Sequence, residues 1–560
     1  MNCKKGGSCT FKSCYFIVIL LLILSDAVSQ THFVKVEKEE WINWLADSRS
    51  VHIVDMNHDG RDDIFITNGP KSGFQDLLFL QTSQGNFERA KVPFDSIHDP
   101  SVGACIADID NNGYRDIYIT NWYGREDKLL KHYADGQFET ISMGKRSFGE
   151  SADFSDINND GWLDLYTGNS EGNMRNILYL NTCKGEMTEM LTSILSLEET
   201  PSRGVTWIDY NNDGLPDLFI CNENKAANAL YKNLGQGVFI KIEKAGDLFM
   251  QDAGTMSASW GDVNNDGFPD LFLANSGYFK EESNQLFINN GDGTFQQQKG
   301  PWDADLGCSY SSSFADYDND GDLDLVVTNG YCHGDIVNFL YLNDGNGHFV
   351  KDTLSQIDLK TECSYGVAWG DLDNNGFQDL VIATCQNINS SALLPNQIWL
   401  NEGNNNHWIK AKLTGVLSNR DAVGAKIRIR AQINNRPVWQ TRWIQAQSGY
   451  CSQNSFVVHF GLLDAQIVDS VIVHWPSGVV QIMIDQPVNT ILEIQEDPPM
   501  VGKKTDITPK NSPEKYNTYW VRISDDGIVD DGSLKGCQNC TFLLKRREDI
   551  PILPNEYKKF

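Results

Sequence analysis

Seven copies of one short acidic loop constrain this 560-residue chain more than any other feature. They begin at Asp55, Asp108, Asp156, Asp209, Asp262, Asp316 and Asp371, and each reads Asp, any residue, Asp or Asn, any residue, Asp or Asn, Gly, two more residues, then Asp. Successive starts lie 53, 48, 53, 53, 54 and 55 residues apart, the spacing of one supersecondary unit repeated along the chain.

The loop has the chemistry of a hard oxygen cage. A divalent ion with six to eight oxygen ligands takes carboxylates or amides from alternate positions of a tightly curled segment, with Gly where the backbone turns as other residues resist. Calcium fits that description best. The candidate ligands are Asp55, Asn57, Asp59 and Asp63; Asp108, Asp110, Asn112 and Asp116; Asp156, Asn158, Asp160 and Asp164; Asp209, Asn211, Asp213 and Asp217; Asp262, Asn264, Asp266 and Asp270; Asp316, Asp318, Asp320 and Asp324; and Asp371, Asp373, Asn375 and Asp379. In the fullest copy Asp322 would add a backbone carbonyl. An EF-hand opens the same way but closes with a Glu at its twelfth position and sits between helices, so that reading fails.

After each loop comes a run such as DIFITN, DLFICN or DLVVTN, rich in β-branched and aromatic residues and ended by Asn or Gly. A second signature follows in most copies, for example ILYLNTCKGEM, QLFINNGDGTF and FLYLNDGNGHF: an apolar strand, a Gly-containing turn and a short strand. With a strand before each loop, as in SASWGD and GVAWGD, every repeat holds four. Seven four-stranded units stacked radially predict an all-β chain built on a seven-bladed β-propeller.

These repeats resemble the FG-GAP (VCBS-type) repeats of integrin α-subunit propellers, whose calcium loops join the first two strands of a blade. Residues 407–495 resemble the UnbV/ASPIC domain through Asn406-His407-Trp408, Asn419-Arg420-Asp421 with Gly424-Ala425, Gly449-Tyr450, His459-Phe460-Gly461 and Trp475-Pro476-Ser477-Gly478. The pairing is similar to the cartilage acidic protein family of secreted matrix proteins. It implies a propeller over 30–405 that binds up to seven Ca2+, a smaller β-rich module over 406–496, and a linker with a short Cys-containing tail over 497–560. Vertebrate members typically carry an EGF-like module with six cysteines at that end; this tail has Cys537 and Cys540.

The formal charge of -29 agrees with a calcium protein. The candidate ligands include 22 carboxylates, so a large part of the acidity belongs to the metal-free chain. A surface this acidic disfavours nucleic acid and anionic lipid as partners. Lys4 and Lys5, the apolar run from Tyr15 to Leu24 and the small residues Ala27-Val28-Ser29 predict a signal peptide over 1–29, and hence a secreted protein without stable membrane insertion. Asn389 and Asn539 head glycosylation sequons.

Ten cysteines remain beyond the three of the signal region, an even number suited to an oxidising compartment. Cys308 lies eight residues before Asp316 and Cys332 eight after Asp324; Cys363 and Cys385 flank the seventh loop in nearly the same way. A hairpin folded around each loop would place these pairs opposite each other, within disulfide reach. For closure of the ring, Thr31-His32-Phe33-Val34-Lys35 echoes the last strand of the sixth repeat, while His407-Trp408-Ile409-Lys410 is the competing candidate.

No HExxH, Walker or GxGxxG motif is present, and His459 and His474 lie in strand-like runs where packing or hydrogen bonding accounts for them. The expected function is a non-enzymatic extracellular matrix or cell-surface protein whose propeller binds a protein or glycan ligand. The alternative is a carbohydrate-binding or polysaccharide-processing secreted protein. Loops joining the second and third strands, with Trp122, Tyr123, Arg125, Tyr278, Phe279, Tyr331 and His333, would open on the face opposite the ions and hold the partner site.

Overall fold

The computed structural model describes residues 32–497 and the strand Thr518–Val521, apart from stretches at 38–43, 70–73, 84, 93, 95–97, 173, 198, 250–252, 278–279, 333–335, 354, 356–362 and 388–390. The signal-peptide segment, both sequons, Cys537, Cys540, Tyr278, Phe279 and His333 fall outside the described residues.

Regular structure among the described residues is strand, with two short 3-10 turns at Ile194–Ser196 and Pro301–Asp303. Seven four-stranded antiparallel sheets follow one another. Their first strands are Ser48–Val54, Ser101–Ala107, Gly149–Ser155, Ser202–Ile208, Thr255–Gly261, Ser309–Ala315 and Ser364–Gly370; each packs on the next, and the seventh packs on the first. The result is a closed propeller whose blades lie face to face. Each first strand and each following strand, such as Asp63–Asn68 or Asp217–Asn222, is buried along its whole length. Both faces of the sheet meet another sheet, so the second strands carry an apolar run such as Ile64-Phe65-Ile66 instead of an alternation, while first strands such as SYSSSFA bury small and polar residues.

The Asn that ends the LYLN signature ties blade to blade. Asn181 Nδ2 donates to Ile109 O of the preceding blade, Asn233 to Ile157 O, Asn289 to Tyr210 O and Asn343 to Val263 O, each at 2.8 Å, and Asn401 to Tyr317 O at 2.7 Å. In the first blade Gln81 takes that place and reaches back to Leu372 O of the seventh.

The ring is closed by the N-terminal segment. Phe33–Lys35 pairs antiparallel with Gln397–Asn401 as the outer strand of the seventh blade, with Phe33 opposite Asn401. Phe33 is buried against the Tyr317 and Trp369 rings. The competing segment, His407–Thr414, instead pairs with Val458–Leu463 on one side and, in parallel, with Thr490–Gln495 on the other. A second sheet of that module runs in the order Arg436–Trp443, Lys426–Ile433, Ile467–His474, Val480–Pro487 and Thr518–Val521.

Cys308 bonds Cys332 and Cys363 bonds Cys385, with Cα–Cα distances of 5.6 and 5.2 Å. These are the pairs predicted from their spacing around the sixth and seventh loops. Among the described residues, Cys105, Cys183, Cys221 and Cys451 are thiols. Cys105 faces Tyr118 and Cys221 faces Gly204 across their strand pairs, so neither has a sulfur opposite.

Residues 447–454 of the module enter the centre of the ring. A first strand has one edge without a sheet partner, and buried N–H and C=O groups there need partners from elsewhere. The inserted segment provides them. Gln453 N donates to Val51 O and Ile53 N to Gln453 O, both at 3.0 Å, while the Gln453 side chain bonds both Ile106 N and Ile106 O. Gln447 Nε2 donates to Ser151 Oγ and Val205 O, Tyr450 N to Ser311 Oγ, and Trp369 N to Asn454 Oδ1. The tip requires glycine: Gly449 has φ +68°, and a Cβ there would lie 2.3 Å from Ser312 O.

At the tip, Tyr450 packs with Val102, Met256, Tyr310 and Tyr365, and its hydroxyl bonds Glu150. Glu150 and Glu223 both pair with Arg203, whose guanidinium lies 5.4 Å from the Trp122 ring. His52 is fully buried beside this segment, its Nε2 2.9 Å from Ser50 Oγ. Burial drives its pKa down to about 3. The unfolded chain therefore takes up a proton near pH 6.5 that the folded chain refuses until about pH 3, and stability falls as pH drops through that window. Relative to a His52→Gln variant, wild type is expected to lose roughly 1.4 kcal/mol more per pH unit below about 6. Urea unfolding at stepped pH measures it; parallel curves for the two proteins would refute it.

Candidate metal centres

Each acidic loop joins the first and second strands of its blade and curls in the same way. The fourth residue takes a left-handed conformation, as at His58 (φ 60°), Asn111 (53°) and Asn319 (59°), and so does the following Gly, as at Gly60 (83°) and Gly321 (103°). Asn accepts that region through its short polar side chain, which accounts for Asn at six of the seven fourth positions. The curl turns backbone amides onto the first carboxylate. Gly60, Gly113, Gly161, Gly214, Gly267, Gly321 and Gly376 each donate N–H to Oδ2 of the first Asp of their loop, at 2.7–3.1 Å.

The closing Asp is pinned at the other end. Asp63, Asp116, Asp164, Asp217, Asp270, Asp324 and Asp379 accept through Oδ1 from the backbone N–H of the third strand, at Gln81, His132, Asn181, Asn233, Asn289, Asn343 and Asn401. The loop thus arrives with both end carboxylates already oriented.

Four loops bring three carboxylates together with one ligand oxygen from each within 4.8 Å of the others: Asp108, Asp110 and Asp116; Asp209, Asp213 and Asp217; Asp316, Asp318 and Asp320; and Asp371, Asp373 and Asp379. No such trio occurs among the described residues in the loops beginning at Asp55, Asp156 and Asp262. Those loops have Asn at the third position, as does the loop at Asp209, whose three carboxylates do come together. Asn57 and Asn264 instead donate to Asp59 and Asp266. Asp318 Oδ1 accepts from Asp320 N, Asp373 Oδ1 from Asn375 N, and Asn112 Nδ2 and Asn375 Nδ2 donate to third-strand carbonyls.

The donor set fits a divalent cation on a direct observation. Asp55 Oδ1, Asn211 Oδ1, Asp324 Oδ2 and Asp371 Oδ1 are buried oxygens of the loops with no hydrogen-bond partner. A buried acceptor left unpartnered costs free energy, and a hard cation relieves it. Burial raises the closing acids further, Asp63 to about 7, Asp116 and Asp164 to about 8 and Asp217 to about 9. A cation in the loop would favour their ionised form.

The face that carries the loops is covered by the second module. Lys412 Nζ lies 3.3 Å from Asp55 Oδ2 in the first blade. Asp421 accepts from Asp108 N and pairs with Arg115 in the second. Leu417 O lies against Gly161 in the third, and Lys426 Nζ donates to Asn212 Oδ1 in the fourth. Arg428 flanks Gly267 in the fifth. Gly461 N donates to Asp316 Oδ2 at 2.9 Å in the sixth, and Lys410 pairs with Asp371 in the seventh. His459 Nε2 donates to Gly376 O, the hydrogen-bonded role expected of it.

On the opposite face Tyr123 is 56% exposed, whereas Trp122 is half-buried against the Phe148 ring and Arg203. Tyr331 accepts a hydrogen bond from Arg49 at 2.8 Å and packs on Tyr310 and Tyr365. Two of the aromatic residues expected to meet a partner therefore also pack within the ring.

Sequence reading missed the bridging Asn of the LYLN signature, the inserted residues 447–454 and the capping cations. The first was legible as a recurring Asn at a fixed place; the others make contacts across hundreds of residues that no local pattern announces.

The FG-GAP-like repeat profile matches residues 55–119, 108–167, 156–220, 209–273, 262–327 and 316–382, more than half of the chain in all. The ASPIC and UnbV profile matches 415–499. Cartilage acidic protein 1 of Xenopus tropicalis is 24% identical over 512 residues, 82% of this chain and 75% of that protein. Cartilage acidic protein 1 of Homo sapiens is 24% identical over 493 residues, covering 79% and 71%. Among solved structures, an Agrocybe aegerita lectin that recognises non-reducing terminal N-acetylglucosamine is 18% identical, with a TM-score of 0.39 over 55% of this chain and 80% of that one.

Proposed function

The chain belongs to the FG-GAP-like repeat family, and from that premise we propose that it is a secreted, calcium-binding, non-enzymatic protein of the extracellular matrix or cell surface whose propeller serves as a binding platform. The observation that carries the calcium reading is the set of unpartnered buried oxygens within preshaped oxygen loops, above all in the trio of Asp371, Asp373 and Asp379. Up to seven ions would bind, held by the first, third, fifth and ninth residues of each loop. Relatives named as cartilage acidic protein and two disulfides support the extracellular assignment. No helix among the described residues is long and apolar enough to cross a membrane. The division of labour we propose is a propeller over 30–405 and a capping module over 406–496. Isothermal titration of the full chain with calcium tests the reading: several sites with measurable heat support it, and none refutes it.

With the ion loops beneath the module and the centre filled by residues 447–454, the partner face of this reading is the side opposite the ions. Tyr123 and Arg125 are its exposed groups in the second blade. Replacing both by Ala is expected to weaken capture of extracellular matrix protein or glycan at least tenfold, the loss of about 1.4 kcal/mol from an interface anchor. Calcium-dependent melting should not change. Unchanged capture would move the partner site to the outer surface of the module.

A further inference from the structure

We propose that Lys410 and Lys412 are built-in counter-ions of the seventh and first ion loops: each ammonium holds the module on the ring when its loop carries no ion, and competes with the ion when one binds. This rests on the reading of the loops as calcium sites. The two lysines are alternate residues of the strand His407–Thr414 and so emerge from the same side of it. Lys410 Nζ donates to Asp371 Oδ2 with both side chains 3% exposed, and it lies 5.2 Å from the centre of the Trp408 ring. Lys412 Nζ sits 3.3 Å from Asp55 Oδ2. A cavity of about 90 Å³ between the two loops is lined by both lysines and both aspartates, with Arg115 and Asp421.

Each carboxylate is divided in the same way. Oδ2 receives the ammonium together with an N–H of its own loop, Gly376 at 2.8 Å or Gly60 at 3.1 Å. Oδ1 of Asp371 and of Asp55 has no partner and stays available to a cation. Without an ion, Lys410 is the charge that compensates the buried Asp371 carboxylate, and removing it leaves that charge unpaired; at Asp55 Lys412 shares the role with Arg115, which donates to Asp55 O. With an ion, two cations share one carboxylate and repel each other, so the lysine weakens the site it neighbours. By linkage the effects are reciprocal: whatever the ion takes from the lysine's hold on the module, the lysine takes from the ion's affinity.

The test is a cycle on the full chain: wild type, Lys410→Met, Lys412→Met and the charge-preserving Lys410→Arg, each melted in EDTA and in saturating calcium and each titrated with calcium. Lys410→Met is expected to lower Tm at least twice as far in EDTA as in calcium, and to tighten one site about tenfold, the lower end of what a charge this close does to a carboxylate. Lys412→Met should shift both readouts in the same direction by less, because its side chain is 35% exposed, and it carries the test if Lys410→Met does not fold. Lys410→Arg should keep the wild-type affinity. Equal Tm losses in both conditions would make the lysine a packing group, and weaker calcium binding would make it a positioning group for the ion; either overturns the proposal. A wild-type chain indifferent to calcium in both readouts overturns the calcium reading and this inference with it.

Discussion

Transfer of the intact protein from millimolar calcium to EDTA is expected to lower its Tm by about 5 to 20 °C. Extracellular sites bind at about 10⁻⁴ to 10⁻³ M, so at 1 mM free ion each contributes roughly 0.4 to 1.4 kcal/mol through mass action. Seven such sites add about 3 to 10 kcal/mol, comparable with the whole net stability of a domain. The loops are also joined to each other: Asn111 Nδ2 donates to Gly161 O, Asn212 to Gly267 O and Asn319 to Gly376 O across neighbouring blades. Loss of an ion from one loop is therefore felt in the next. Asp320→Ala, which removes one member of the trio with Asp316 and Asp318, should lower Tm in calcium and leave a smaller response to EDTA. Scanning calorimetry in the two buffers measures both effects. A thermogram that EDTA does not move would dispose of the metal assignment.

The second large effect is at the other end of the ring. Arg203→Leu is expected to destabilise the folded protein by about 3 to 5 kcal/mol, the usual result of removing one partner from a buried ionic pair. Arg203 compensates Glu150 and Glu223, and all three are buried. Glu150 also accepts from the Tyr450 hydroxyl, so the same network anchors the segment that fills the ring. Tyr450→Phe should cost less alone, about 1 to 2 kcal/mol, and the two substitutions should be non-additive because they share Glu150. Urea unfolding of the four proteins of this cycle gives the coupling. A loss below about 1 kcal/mol for Arg203→Leu, or strict additivity, would mean that the network does not hold the segment in place.

What was legible and what was not divides along the range of the interactions. The loops are local: nine residues with Asp, Asn and Gly at fixed places specify the curl whatever surrounds it, and the strands that follow carry an uninterrupted apolar run, such as Leu218-Phe219-Ile220, because both faces are covered. The two disulfides were legible for the same reason, since cysteines flanking a hairpin of known centre must face each other. The contest between Phe33–Lys35 and His407–Thr414 for the seventh blade was not settled by pattern, because both segments carry the same order of His, aromatic, aliphatic and Lys, in His32-Phe33-Val34-Lys35 and His407-Trp408-Ile409-Lys410. Burial decides it: Phe33 fills a space between Tyr317 and Trp369, while His407–Thr414 has a sheet of its own. On the expected partner face, Trp122 and Tyr331 are half-buried, their rings held by Arg203 and Arg49 from distant parts of the chain.

By itself, the sequence determined the repeat, the fold class, the oxygen chemistry of the loops and the covalent pairs around them, since each depends on residues close together in the chain. Only the tertiary structure decided that the module lies on the ion-loop face, that residues 447–454 fill the ring and that Lys410 and Lys412 share carboxylates with the candidate ion sites. Those facts depend on groups such as Lys412 and Asp55, 357 residues apart, whose meeting is set by how two folded surfaces complement each other in shape and charge.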